Sequence, residues 1–126
     1  FWIRYPDTQQ NFEAFNKIDE FAKVIIAYAE NTAVGCGCFR PKKADLTIEI
    51  KRMYVIASQR NQGIGKKILS DLEQWGREEG YKNAILETGN KQPEAIAAYQ
   101  KSGYLQIPNF PPYEEISESI CMKKYL

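Results

Sequence analysis

The sequence predicts an α/β domain whose β-sheet contains a parallel crossover. A strand-like segment at 46–55 is followed by a glycine-containing loop, an amphipathic helix and a second strand-like segment at 84–88. A strand, a helix and another strand in that order form a right-handed crossover with parallel strands. Further short strand-like segments flank this unit, so it is expected to lie within a larger sheet.

The segments before the glycine loop are predicted to be strands. Segment 24–30 is rich in β-forming residues and turns at Asn31-Thr32 into segment 33–40, which predicts a hairpin. Segment 46–55 alternates apolar and polar residues until the register breaks near Met53. By that alternation Glu49 shares a face with Val55.

The segments after the loop alternate between helix and strand. In 64–79, apolar residues recur at helical spacing and Gly80 can end the helix. Pro93 suits the first turn of a second helix, which Gly103 ends before strands at 104–107 and 119–123. Segment 108–117 has three prolines and is expected to be an irregular loop that covers a site.

Composition narrows the chemistry available to the chain. Its 126 residues fit a single domain, 1–126, and a formal net charge of +1 gives no field that would attract nucleic acid. With three cysteines and no histidine, neither a zinc site nor a disulfide framework is expected. No apolar run reaches the roughly 18 residues that a membrane span needs. The expectation is a cytoplasmic protein that binds no metal, no membrane and no nucleic acid.

A glycine loop between a strand and a helix predicts an anion site. Gly63 and Gly65 lack Cβ atoms, so backbone N–H groups and the helix dipole can approach a phosphate closely. Arg60 and Lys66 add positive charge beside them. The dinucleotide fingerprint and the nucleoside-triphosphate loop both fail on direct comparison, the first because Ile68 stands where it needs a third small residue.

What remains, Arg60-x-x-Gly63-x-Gly65 after a strand, resembles the acetyl-CoA loop of the GNAT superfamily of N-acetyltransferases. Segments 86–89 and 92–104 look like that family's second cofactor segment, with Tyr99 and Gly103 at the usual offsets. The resemblance implies a mixed, mostly antiparallel central sheet with helices on both faces. It also implies transfer of an acetyl group from acetyl-CoA to a primary amine.

The sequence departs from the family pattern in two places. Gln92 stands where an asparagine is common, which keeps a side-chain amide. Only some twenty residues precede the strand at 24–30, whereas the family usually begins with a strand and two helices. Residues 1–22 are therefore expected to be a divergent or truncated N-terminal part, with a strand remnant at 1–5.

The resemblance transfers roles to individual residues. The backbone N–H of Val55 would hold the thioester oxygen. Tyr99 would be the acid that assists the leaving thiolate, although an aromatic residue packed on the sheet explains it too. Cofactor binding is assigned to Met53, Tyr54, Val55, Arg60, Asn61, Gln62, Gly63, Ile64, Gly65, Lys66, Gln92, Ala95 and Tyr99.

The base and the acceptor site are less defined. Glu49 is the first candidate base, and the alternative is that it pairs with a nearby cation such as Lys51 or Arg40. Glu87 is the second candidate, because ligands bind at the carboxyl ends of strands. With Tyr113 of the proline-rich loop, these glutamates would bind the acceptor, favouring a small amine, amino acid or peptide over an acidic acceptor.

Two alternatives stay open at this stage. A domain of this kind can bind coenzyme A as a regulatory or interaction module without catalysis. A homodimer is also possible, because segment 119–124 could offer a sheet edge to a second copy.

Overall fold

The computed structural model describes residues 2–5, 23–42 and 45–126. Its strands are β1 (Trp2–Tyr5), β2 (Lys23–Ala29), β3 (Thr32–Pro41), β4 (Thr47–Val55), β5 (Asn83–Gly89), β6 (Leu105–Ile107) and β7 (Ser119–Tyr125). Its helices are α1 (Ile64–Glu78) and α2 (Pro93–Lys101), and a short 3-10 turn spans Ala57–Gln59. The predicted elements are present, with ends that differ by one or two residues.

Within the described residues, seven strands form one mixed sheet in the order β1-β2-β3-β4-β5-β7-β6. Strands β4 and β5 are parallel, and α1 connects them, as the sequence predicts. The other neighbouring strands pair antiparallel. The predicted N-terminal strand remnant is confirmed, since β1 pairs along β2, although most of 1–22 lies outside the described residues.

The C-terminal strand is not an edge of the sheet, so that prediction is wrong. Strand β7 pairs with β5 on one side and with β6 on the other. The edge on this side of the sheet is β6, a three-residue strand on which Leu105 is exposed. After α2 the chain forms β6 as the outer strand. The proline-rich loop then leads back to β7, which lies between β5 and β6.

The main hydrophobic core lies between the sheet and the two described helices. From α1 it takes Ile68, Leu72 and Trp75, and Tyr99 of α2 packs against the same cluster. A smaller cluster on the other face includes Cys38. Neither described helix is long and apolar enough to cross a membrane. The mixed sheet is confirmed, and any helix covering the second face lies outside the described residues.

A β-bulge in β4 explains the register break near Met53. Gly37 of β3 lies opposite two residues of β4, Arg52 and Met53, because Cys36 pairs with Tyr54 and Cys38 with Lys51. Arg52 carries the strain of the bulge at φ 59°. A Cβ on Gly37 would lie 2.5 Å from the Met53 sulfur, so the site tolerates only glycine without rearrangement.

The bulge changes which side chains at the end of β4 face the main core. Met53 packs against the main core, and the Val55 side chain comes within 3.6 Å of the position of a Cβ on Gly65 in α1. Glu49 precedes the bulge, one residue from Ile48 and Ile50 of the main core, and thus faces the other side of the sheet. The expectation that Glu49 and Val55 share a face is therefore wrong.

Candidate functional site

The sheet opens between its two parallel strands. The ladder between β4 and β5 ends at the pair Ile50 and Leu86. Beyond that point β4 stays paired with β3 as far as Val55, while β5 stays paired with β7 as far as Gly89. The two strands thus diverge at their carboxyl ends, which is where open α/β sheets bind ligands.

A cavity of about 410 Å³ lies between the end of β4, the start of α1 and the exposed part of α2. Most of the residues predicted to bind the cofactor line it: Met53, Tyr54, Val55, Arg60, Asn61, Gly63, Ile64, Gly65, Lys66, Ala95 and Tyr99. Gln62 is exposed in the same loop. Segments far apart in sequence are therefore brought to one cavity.

The start of α1 is suited to hold an anion. Gly63 is the N-cap residue at φ 81°, no side chain caps the helix, and no acidic residue lies in the first turn. The first N–H groups of a helix lack partners within it, so they can bind an external anion. A Cβ on Gly63 would meet nothing within 4 Å, which leaves open space in front of these donors. We call this uncapped helix start at Gly63 the glycine cradle.

The loop that precedes this cradle is fixed to the end of β4. Arg60 donates from Nε to the carbonyl oxygen of Val55 at 2.8 Å, and its guanidinium lies 5.5 Å from the Tyr54 ring centroid. These contacts hold the glycine turn against the strand. The remaining guanidinium N–H groups add a cation beside the cradle.

A second cavity of about 290 Å³ lies in the opening between β4 and β5. It shares Met53, Ala95 and Tyr99 with the larger cavity. Its other lining residues are Ile50, Lys51, Arg52, Glu87, Thr88, Gly89 and Gln92. The two cavities therefore meet at Tyr99, with the glycine cradle on one side and Glu87 on the other.

Tyr99 lies on α2 with its ring 5.9 Å from that of Tyr104, edge to face. Burial raises the pKa of Tyr99 above its usual value. The phenol therefore stays protonated at neutral pH and can donate a hydrogen bond. Both interpretations of Tyr99 fit this position, since it packs on the core and lines both cavities.

Glu49 is 2% exposed and is surrounded by cations. Its carboxylate lies 3.4 Å from Arg40, 3.6 Å from Lys42 and 3.9 Å from Lys51. It lines neither of the two cavities described above. This is the ion-pair arrangement that the sequence offered as the alternative to a catalytic base, with Lys42 as an additional partner.

Glu87 is held at the wall of the opening. Its Oε2 atom accepts a hydrogen bond of 2.6 Å from the hydroxyl of Ser119, which is buried on β7. No sequence pattern marks Ser119 as a site residue, because it comes close to Glu87 only through the pairing of β5 with β7. The structure thus adds a positioning residue to the predicted set.

The proline-rich loop is anchored next to Glu49 and its cation partners, on the sheet face away from α1. Lys42 donates to the carbonyl oxygen of Pro111 at 3.4 Å and lies 5.0 Å from the Phe110 ring centroid. Phe110 in turn packs on Tyr113 at 5.5 Å. Burial raises the pKa of Tyr113, and the negative charges of Glu49 and Glu87 raise it further.

Sequence reasoning missed several residues that line the cavities. Several lie within segments 86–89 and 92–104, which resemble a cofactor segment, but they were given no individual role. The missed residues are Lys51, Arg52, Gln59, Leu69, Thr88, Gly89, Glu94, Ala98, Lys101 and Ser102. A helical count forward from Ala95 would have found Ala98 and Ser102, because residues three, four and seven apart share a face.

The sequence matches the model of the acetyltransferase (GNAT) family over residues 1–104. An IAA acetyltransferase from Azospirillum brasilense is 34% identical over 104 residues, which are 82% of this chain and 68% of that protein. The matched part of the chain spans only 60% of the protein YyaT from Bacillus subtilis and 48% of N-acetyltransferase 14 from Xenopus tropicalis.

Solved structures show the same fold. A protein from Klebsiella pneumoniae described as an acyl-CoA N-acyltransferase superimposes with a TM-score of 0.86 at 28% identity, over 100% of this chain and 97% of that one. A GNAT family acetyltransferase from Elizabethkingia anophelis, solved with acetyl-CoA bound, gives a TM-score of 0.79 at 20% identity. That match covers 99% of this chain and 98% of the other.

Proposed function

This chain belongs to the acetyltransferase (GNAT) family, a family of acetyl-CoA-dependent acyltransferases, and we propose that it moves an acetyl group from acetyl-CoA directly to a primary amine. The observation that carries the proposal is the meeting of two cavities at Tyr99. The larger cavity includes the glycine cradle, which is suited to hold a phosphate. The smaller cavity is lined by Glu87, whose carboxylate borders the opening between β4 and β5. A donor and an amine can therefore approach one another from opposite sides of Tyr99.

The residues present fit coenzyme A. A pyrophosphate needs fixed backbone donors and mobile cations, and the uncapped start of α1 supplies the first while Arg60 and Lys66 supply the second. The apolar stretch from Met53 to Val55 leads from this cradle toward the opening. In this proposal Gly63 would hold the pyrophosphate and Tyr99 would border the acyl end.

Acetyl-CoA supplies a thioester carbonyl that an amine can attack and a thiolate that can leave. Tyr99 would donate its phenolic proton to that sulfur; its position in the lining of the cavity and its raised pKa, which keeps the phenol protonated, support this role. The backbone N–H of Val55 is the proposed donor to the carbonyl oxygen. Val55 lies where β4 has separated from β5, so this role is compatible with the pairing.

Glu87 is the better placed of the two candidate bases. It lines the opening together with Tyr99, and Ser119 fixes one of its carboxylate oxygens. An amine near pKa 10 is protonated at neutral pH, so it needs a carboxylate or a water chain to take a proton before it attacks. In this proposal Glu87 holds the amine and directs that proton, while Glu49 serves the structure of the neighbouring cation cluster.

The proposal is tested by incubating the chain with acetyl-CoA and a panel of small primary amines. Thiol release should rise above the rate measured without amine, and mass spectrometry should find the N-acetylated product. Acetyl-CoA that binds but releases no thiol with any amine would contradict transfer, and would instead support a binding module without catalysis.

A further inference from the structure

We infer that the acceptor is a free amino acid, or a small molecule like one, whose amine and carboxylate are both recognised in the opening between β4 and β5. The inference rests on the proposed function and adds the substrate class to it. It comes from a pair of opposite charges on the two walls of the opening. Those charges are Lys51 on β4 and Glu87 on β5.

The sheet register places Lys51 and Glu87 on the same face. Glu49 lies beside Ile85 in the parallel ladder, and the ladder ends one residue later. Lys51 and Glu87 are each two residues further on, and side chains two apart on a strand share a face. They therefore flank the opening from opposite sides, one residue beyond the last pair of the ladder.

Positive charge remains available on the β4 wall. Lys42 and Lys51 both contact the Glu49 carboxylate, so two positive charges face one negative charge before Arg40 is counted. Lys51 contacts Glu49 only at 3.9 Å and keeps a third of its side chain exposed. A carboxylate in the opening would give Lys51 a closer, charge-assisted partner.

The opposite wall is prepared for an ammonium group. Ser119 donates to Oε2 of Glu87, which fixes the carboxylate and leaves Oε1 to accept from a ligand. Glu87 and Tyr99 line the same cavity, so an amine held at Glu87 would lie in the cavity that Tyr99 borders. The ammonium is thus expected at Glu87 and the carboxylate at Lys51.

The size of the opening favours a small acceptor. Its volume of about 290 Å³ falls just under the roughly 300–1,000 Å³ typical of sites for drug-sized ligands. The sequence alone favoured a small amine, amino acid or peptide over an acidic acceptor, because only the glutamates could be singled out. The structure narrows that expectation, since Lys51 and Arg52 line the same cavity as Glu87.

The test compares free amino acids with their carboxamides, which differ by one negative charge. Glycine, leucine and phenylalanine are each paired with the matching amide, and kcat/KM is measured by thiol release from acetyl-CoA. Losing the carboxylate lowers the pKa of the neighbouring amine, so the amide has the larger reactive fraction. We nevertheless expect at least one free amino acid to be preferred by about tenfold or more.

Variants locate the preference on Lys51. Lys51→Met should bring the ratio of acid to amide close to one, and Lys51→Arg should keep most of it, because the charge is retained. Lys82→Met is the matched control, since Lys82 is exposed in the turn before β5, at the opposite end of the strand from the opening. It should leave the ratio unchanged.

The outcomes separate the inference from the proposed function. Amides acetylated as well as or better than every free amino acid would overturn the inference while confirming transfer to amines. A preference that survives in a folded Lys51→Met variant would also overturn it. The wild-type comparison alone decides the matter if Lys51→Met does not fold. No acetylation of either class, while other primary amines are acetylated, would overturn the inference alone, and no acetylation of any amine would overturn both proposals.

Discussion

Tyr99 occupies a position that packing and chemistry both use. Its ring packs against Tyr104, whose hydroxyl donates to the buried Glu73 carboxylate at 2.9 Å. A second contact holds the same carboxylate, since Lys124 donates to its other oxygen at 2.9 Å. This network ties α1 to β7. Tyr99 therefore packs on a hydrogen-bonded residue of the core while it lines both cavities.

Replacing Tyr99 with phenylalanine should separate the two uses. Tyr99→Phe keeps the ring and removes the donor, so turnover should fall about 10²-fold while acetyl-CoA affinity stays nearly unchanged. Steady-state kinetics and a binding titration measure the two effects. Unchanged kcat would remove Tyr99 from the mechanism and leave it as a packing residue.

The pKa of Tyr99 adds a condition to that test. Because burial raises this pKa above its usual value near 10, the phenol does not ionise as pH rises toward 10. Any loss of wild-type activity on the alkaline side below that pH must have another origin.

At the level of the elements, the divergence of β4 and β5 determines which glutamate can act in the reaction. Glu87 lies beyond the last residue of β5 that pairs with β4, whereas Glu49 lies within the ladder between these two strands. A group inside the ladder is covered by its neighbours, while a group beyond the ladder borders the opening. The two glutamates should therefore respond differently to the same substitution.

The paired substitutions Glu87→Gln and Glu49→Gln test this difference. Glu87→Gln should lower kcat/KM by about 10²-fold with little change in stability. Glu49→Gln should mainly lower the free energy of unfolding, by roughly 2 kcal/mol, because it leaves cations that are still partly exposed without a counter-charge. Urea unfolding and steady-state kinetics of both variants provide the comparison. The opposite result, a stable Glu49→Gln with low turnover, would restore Glu49 as the base.

The glycine loop and the crossover could be predicted from the sequence because their signals are local. The spacing of Gly63 and Gly65 and the helical period of α1 are contained in about twenty consecutive residues. The bulge could not be predicted in the same way, since it depends on which residue of β3 faces Arg52. The position of β6 outside β7 and the bond from Ser119 to Glu87 likewise depend on pairing between residues distant in sequence.

For the molecule as a whole, the buried thiols make stability depend on alkaline pH. Burial raises the pKa of Cys38 to about 12, and burial raises that of Cys36 to about 11 although Arg52 opposes the shift. A pKa raised on folding gives stability that is complete below the unfolded value near 9. This stability is lost as pH rises through the folded value.

The free energy of unfolding should therefore fall between about pH 9 and pH 12, by up to about 1.4 kcal/mol per pH unit from Cys38 alone. Urea unfolding of the wild type and of Cys38→Ala across this range measures the contribution. The buried tyrosines act in both proteins, so the difference in slope belongs to the thiol. Parallel curves would show that Cys38 does not titrate as its burial implies.

The central claim, that the start of α1 and the adjoining cavity bind acetyl-CoA, is tested most directly by calorimetric titration. Adenosine diphosphate is the control for nonspecific anion binding. Gly63→Val and Gly80→Val form a matched pair, because both glycines have positive φ and open space around a Cβ, at opposite ends of α1. The two variants should thus carry similar backbone strain, with only one of them at the cradle.

We expect selective binding of acetyl-CoA at about micromolar concentration, weakened at least about tenfold by Gly63→Val and unaffected by Gly80→Val. A folded wild-type chain that does not bind acetyl-CoA, or binding that both valine variants weaken equally, would contradict binding at the start of α1.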